Sequence, residues 1–172
     1  RGSHSLSKNA DEVLYRCRVL LAKQFGTLPE KVVLTKNATE ALNLAIKGLS
    51  PKDGEVVTSD LEHNAVLRPL HALRAAREIT LKQFRTSLSD DSVTVENFRT
   101  AVGSTAGLAV VTHASNVCGR ILPLKAMREA VDRKDFLMIA DCSQTAGHIP
   151  IDITELGVDV ICIPGHKGLY GP

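Results

Sequence analysis

Five short polar segments carry the residues able to do chemistry in this 172-residue chain. Lys167 stands in Pro164-Gly165-His166-Lys167-Gly168, directly after a largely apolar run over residues 158–163. An amine used as a covalent nucleophile needs surroundings that lower its pKa, and a loop packed on a sheet beside His166 is one way to supply them. Glycines on both sides let backbone and side chain come close to a planar ligand. A lone lysine in such a loop is otherwise merely solvated. Asp141 follows the apolar residues 136–140, and a carboxylate at the mouth of a buried strand is costly unless something pairs with it. It reads as a helix cap, a metal ligand or a cofactor contact.

Lys36-Asn37-Ala38-Thr39-Glu40 sets small polar residues just before a helical stretch. Free amides at a helix N-terminus bind anions, and the Thr39 hydroxyl adds a donor. Plain N-capping is the alternative. The segment is too short and too poor in glycine for a nucleotide phosphate loop. His63 is either a surface histidine at a helix start or a flat ring able to stack on a heterocycle. Amides enter with Asn116 and Gln144, each in a polar segment that follows an apolar run.

These residues need elements to hold them. Apolar residues at three- and four-residue spacing predict a helix over residues 7–25, stopped by Gly26. Residues 32–35 read as a short buried strand, and 39–47 as a helix ended by Gly48. Further strands are predicted at 55–58, 78–82, 106–112, 136–140 and 158–163, with helices at 64–77, 94–102 and 124–131. Residues 87–91 have turn chemistry, because Ser and Asp side chains bond local backbone. Strands apolar on both faces and separated by helices call for an α/β three-layer sandwich around a mostly parallel sheet. Ligands of such sheets bind beyond the carboxyl ends of the strands. That rule selects residues 35–39, Glu62 and His63, 113–116, 141–144 and 165–167.

Together the five segments offer an anion cradle, a ring platform, a carboxylate, an amide and an amine. Pyridoxal 5'-phosphate asks for that set, having a phosphate, a pyridine whose nitrogen is best kept protonated, a phenolic oxygen and an aldehyde. From about Lys8 to Pro172 the sequence resembles the class V family of pyridoxal phosphate-dependent enzymes, within it the cysteine desulfurase and selenocysteine lyase group. The resemblance rests on Asn37-Ala-Thr-Glu-Ala41, Glu62-His63, Thr112-His-Ala-Ser-Asn-Val117 with Gly119, Asp141-Cys-Ser-Gln-Thr-Ala-Gly147 and Gly165-His-Lys-Gly-Leu-Tyr-Gly-Pro172, in the family's order.

The resemblance implies a fold-type I large domain and a role for each residue. Ala38, Thr39 and His166 would hold the phosphate, and His63 would stack on the pyridine and help move protons. Asn116 and Gln144 would lie near the phenolic oxygen. Asp141 would face the ring nitrogen, and Lys167 would form the Schiff base. Lys167, His63 and Asp141 are then the catalytic set, acting on cysteine or selenocysteine to release sulfur or selenium to an acceptor protein. Another class V aminotransferase, lyase or epimerase would use the same residues. An inactive, self-associating fragment is a third reading.

Two departures stand out. The family often places Ser or Thr three residues before the lysine as a phosphate ligand, whereas Pro164 has neither hydroxyl nor amide to donate. Family enzymes are also longer, so residues 1–172 are expected to be part of the large, cofactor-binding domain without the C-terminal small domain. The substrate-carboxylate arginine and the sulfur-accepting cysteine are expected beyond Lys167. Arg1 to His4 read either as native or as an affinity-tag remnant.

Composition narrows the field. Hydrophobic residues at 44% and charged residues at 23% describe an ordinary globular domain, which excludes disorder. Lys and Arg total 21 against 19 Asp and Glu, too even for a nucleic-acid footprint, and with no Trp and two Tyr stacking platforms are scarce. No apolar run approaches twenty residues, so no membrane span is expected, and the reading is cytoplasmic. Cys17, Cys118, Cys142 and Cys162 match neither a zinc knuckle nor a disulfide framework, and no metal is expected. Cys17 and Cys162 read as core residues. A homodimer or other self-association is expected, since edges and apolar faces of a sheet fragment invite pairing.

Overall fold

Strands buried on both sides need a helix layer over each face, and the computed structural model supplies both. It describes residues 4–171; Arg1, Gly2 and Ser3, and Pro172 of the last motif, lie outside the described residues. The chain runs α1 (Ser5–Phe25), a 3-10 turn (Pro29–Lys31), α2 (Ala38–Leu49), β1 (Gly54–Ser59), α3 (Asn64–Ala75) and β2 (Ile79–Phe84). It continues through α4 (Asp91–Val102), β3 (Ala106–Thr112), α5 (Leu124–Glu129), β4 (Leu137–Asp141), α6 (Ile153–Leu156) and β5 (Val160–Cys162). The strands form one sheet in the order β2-β1-β3-β4-β5, with every neighbouring pair parallel.

Side chains alternate across this sheet with a period of two. Val56, Leu108, Val110 and Ile139 point to the face covered by Leu42 and Ile46 of α2 and Val66 and Leu70 of α3. Val57, Ala109, Val111, Met138 and Ala140 point the other way, against Phe98 and Val102 of α4 and Met127 of α5. Phe98 meets Phe84 and Phe136 edge to face, with ring centroids 5.4 and 6.2 Å apart. Burial on both faces is why β3 is an apolar run rather than an alternating one.

Chain direction changes at the middle of the sheet. The crossover that follows β1 is α3, on one face, whereas β3 leads to α5 on the other. This reversal leaves a crevice between the ends of β1 and β3, the place where doubly wound sheets of this strand order bind ligands.

Several sequence expectations are corrected. Residues 32–35 are not a strand: they run as coil, and Val33 and Leu34 stand 68% and 40% exposed. β-branched residues favour pleated structure, but this segment has no ladder partner among the described residues, and propensity without a partner makes no strand. Gly48 does not end α2, which continues to Leu49 and is capped by Ser50. Cys17 is exposed, not core, because α1 buries only Ala22 and Phe25. The 3-10 turn and α6 were not expected; each is under five residues, too short to show a period. Gly26 does stop α1, in the left-handed conformation with φ +68°.

Candidate active site

Parallel pairing in register sets Thr112, Asp141 and Cys162 level with one another at the ends of β3, β4 and β5. The loops that follow, together with the start of α2 and the turn after β1, enclose a single cleft. All eight residues singled out from the sequence line it: Ala38, Thr39, His63, Asn116, Asp141, Gln144, His166 and Lys167. Residues 35–39 span the coil before α2 and its first two residues and do not follow a strand end.

Local chemistry explains the cradle. Asn37 caps α2, its Oδ1 accepting from the Glu40 amide at 2.9 Å, while Glu40 Oε2 accepts from the Lys36 amide at 2.6 Å. Capping therefore uses the third helical amide and leaves those of Ala38 and Thr39 without an acceptor among the described residues. Capping, read from the sequence as the alternative to anion binding, is present and leaves these two amides open. The Thr39 hydroxyl lines the same cleft.

His63 is the N-cap of α3, and its Nδ1 accepts from the Ala65 amide at 3.1 Å. That bond assigns the proton to Nε2 and sets the ring's direction. Asp141 is 4% exposed, and its Oδ1 accepts from the Ser143 amide at 3.0 Å, leaving Oδ2 available to the cleft. His113, 5% exposed, joins the β3 and β4 loops through Nδ1 and Thr145 Oγ1 at 3.0 Å. Burial holds its pKa below the usual 6.5, so it remains a neutral tie between them.

Lys167 is exposed, and no side-chain partner among the described residues engages its amine. The packed, desolvating loop expected from the sequence is thus corrected: backbone packs closely there, but the lysine side chain reaches solvent. Gly147, with φ +85°, and Gly168 explain the close packing. A Cβ on Gly147 would overlap the Gly168 carbonyl, and one on Gly168 would overlap the Ala146 carbonyl and fall 2.8 Å from the His148 ring. The lysine loop thus lies directly on the loop after β4, which fixes Lys167 relative to Asp141.

Sequence reasoning gave no role to Ser143 and Pro164, both lining the cleft, or to the Glu62 carboxyl beneath it. Glu62 is half-buried as a residue, yet its carboxyl is sealed from water. Burial pushes its pKa up to about 8, the nearby Asp141 charge adds to this, and hydrogen bonds from Ser59 and Thr112 oppose it. A carboxylate three residues after Ser59, at the end of an apolar strand, was the available signal.

A doubly wound parallel sheet with open helix amides, a carboxylate and an accessible lysine around one strand-end cleft defines the class of this α/β domain. The chain belongs to the aminotransferase class V family, which it matches over residues 1–172. It is 34% identical to the cysteine desulfurase IscS of Dictyoglomus turgidum, over 98% of this chain and 43% of that protein. It is 31% identical to a probable cysteine desulfurase of Methanothermobacter thermautotrophicus, over 100% of this chain and 43% of the relative. Among solved structures it resembles the apo cysteine desulfurase of Thermococcus onnurineus NA1, with TM-score 0.89 and 27% identity over 100% of this chain and 43% of that one. The cystine C-S lyase C-DES, in complex with cysteine persulfide, superposes with TM-score 0.88 at 26% identity, over 100% of this chain and 47% of the lyase. The chain spans less than half the length of these relatives.

Two measurements test the site's construction. Gly168→Ala should lower stability to urea by about 1–3 kcal/mol, as overpacking does; unchanged stability would mean that the two loops are not in contact. Between 4.5, the ordinary value for Glu62, and about 8, the folded chain holds a proton that the unfolded chain has released. Stability contributed by this group is therefore complete below pH 4.5 and is lost as pH rises to about 8, with a slope of up to roughly 1.4 kcal/mol per pH unit. Glu62→Gln should flatten that decline in urea titrations run from pH 5 to 9; parallel curves for the two proteins would refute it.

Proposed function

We propose that residues 1–172 are part of the cofactor-binding large domain of a pyridoxal phosphate-dependent cysteine desulfurase. The observation that carries this reading is the gathering of all eight family-motif residues around one cleft at the sheet's carboxyl edge. The donor set fits the cofactor. Two open amides and a hydroxyl at the start of α2 suit a phosphate, Asp141 presents an open carboxylate oxygen, and Lys167 has an unengaged amine.

Bound there, the cofactor would supply an aldehyde that bonds to amines and a protonated ring that draws electron density from a substrate α-carbon. Asp141 would hold the ring nitrogen of the cofactor, where a carboxylate favours a protonated ring. Lys167 Nζ would hold the cofactor through its aldehyde carbon and would be the base placed to accept a proton from a substrate α-carbon. His63 offers its ring as a platform, with Nε2 as the proton-bearing atom. Asn116 and Gln144 offer amides to the phenolic oxygen. Ala38, Thr39 and His166 orient the whole through the phosphate, and Pro164 leaves that work to them. Cysteine is the proposed substrate, its sulfur leaving the β-carbon for an acceptor protein.

No helix among the described residues is long and apolar enough to cross a membrane. Four free cysteines without a disulfide fit a reducing compartment, and the cytoplasm is the compartment proposed. A second copy of the chain is proposed to cover α1, where Val13, Leu14 and Leu20 are 68%, 52% and 60% exposed.

Mixing the chain with pyridoxal phosphate should produce a visible absorption band, and borohydride should fix the cofactor on Lys167 by mass spectrometry. Lys167→Ala should abolish both. No band, or a band indifferent to the substitution, would defeat the cofactor assignment. Light scattering over a range of concentrations should show mass above the 18.5 kDa of one chain, and a constant monomer would end the self-association proposal.

A further inference from the structure

Glu62 sits where the sheet's two winding directions part. β1 and β3 pair as far as Thr58 and Val110, after which the chain turns from β1 toward α3 on one face and from β3 toward α5 on the other. The His113 amide bonds the Asp141 carbonyl on the β4 side, so the amide of Thr112 faces the β1 side, where the strand has already ended. Glu62 Oε1 fills the place of the missing strand carbonyl, accepting from the Thr112 amide at 2.8 Å. The same oxygen accepts from the Ser59 hydroxyl, which in turn accepts from the Leu61 amide at 3.2 Å. One side chain thereby ties the β1–α3 turn to itself and to the end of β3.

The next residue is His63, whose ring is oriented by its bond from the Ala65 amide. We propose that Glu62 is a positioning residue: by clamping the β1–α3 turn to the last amide of β3, it holds the His63 ring in the strand-end cleft. The importance of that placement for a stacked cofactor rests on the function proposed above, whereas the clamp exists in the chain alone.

Charge sets how the clamp works. Oε2 is buried and has no partner among the described residues, a position that suits a proton better than a bare negative charge. Asp141, reaching from β4, is the ionisable group whose charge Glu62 feels; β1 and β3 present to it the neutral donors Ser59 and Thr112. Below about pH 8 the clamp is a neutral carboxyl beside the Asp141 charge. At higher pH a second charge appears next to His63.

Histidine-labelled chain without cofactor provides the test, with the His63 signal assigned by substitution among the six histidines. In the wild type, the His63 ring should show the Nε2–H tautomer and an inflection near pH 8, where Glu62 ionises. Glu62→Gln keeps an Oε1 acceptor, so the tautomer should persist while the inflection disappears. Glu62→Ala should mix the tautomers and weaken pyridoxal phosphate binding about tenfold, the scale of one lost buried hydrogen bond. Unchanged tautomer and affinity in Glu62→Ala would overturn the proposal, and so would an inflection that survives in Glu62→Gln. If the alanine variant does not fold, the glutamine variant decides by the inflection alone. Failure of the wild type to bind the cofactor would refute the function proposed above and leave the ring measurements to judge the clamp.

Discussion

A sheet whose strands all run one way ends all of them at one edge, and everything in this site depends on that alignment. Helices close both faces of the central strands, so the polar groups of the cleft gather beyond the strand ends. Register then does the fine placement. Thr112, Asp141 and Cys162 stand level, and the loops that leave them begin from a common line. The cradle at the start of α2 joins from outside the sheet, with its amides opened by the way Asn37 and Glu40 cap the helix.

Two backbone problems at this edge are solved differently. Where β1 and β3 part toward opposite faces, the strand pairing fails, and a side chain takes over the role of the absent carbonyl. Where the loops after β4 and β5 meet, glycines remove the side chains and let the backbones touch. One solution adds a carboxyl and the other deletes two Cβ atoms. Both place a cleft-lining residue, His63 in the first case and Lys167 in the second. Both also carry a cost, a buried titratable group in the first case and in the second two glycines whose backbone freedom is lost on folding.

The lysine and the aspartate occupy opposite environments. Asp141 is nearly sealed and held by a backbone amide, whereas Lys167 reaches solvent with its amine unengaged. The backbone bond fixes the direction of the carboxylate, whereas nothing among the described residues fixes the amine. α1 shows a related imbalance. Its stripe of apolar residues follows helical spacing, yet only the last turn meets the body of the chain.

Periodic patterns made most of the fold legible from residues alone, because a strand buried on both faces must be an apolar run and a helix must repeat its apolar face. β3 was read to the residue, and the turn before α4 was visible in its Ser and Asp side chains. Most of the cleft-lining motif residues were legible too, since they follow such a run, whereas Ala38 and Thr39 follow coil. Tertiary structure alone decided the rest. Residues 32–35 have strand composition but no ladder partner among the described residues, and Gly48 lies inside α2, where a Cβ would meet nothing within 4 Å. Cys17 has the spacing of a core residue on a helix whose face the chain does not cover. Glu62 depended most on the fold: its meaning lies in an amide 50 residues away, which becomes its partner only when two strands part to opposite sides of a sheet.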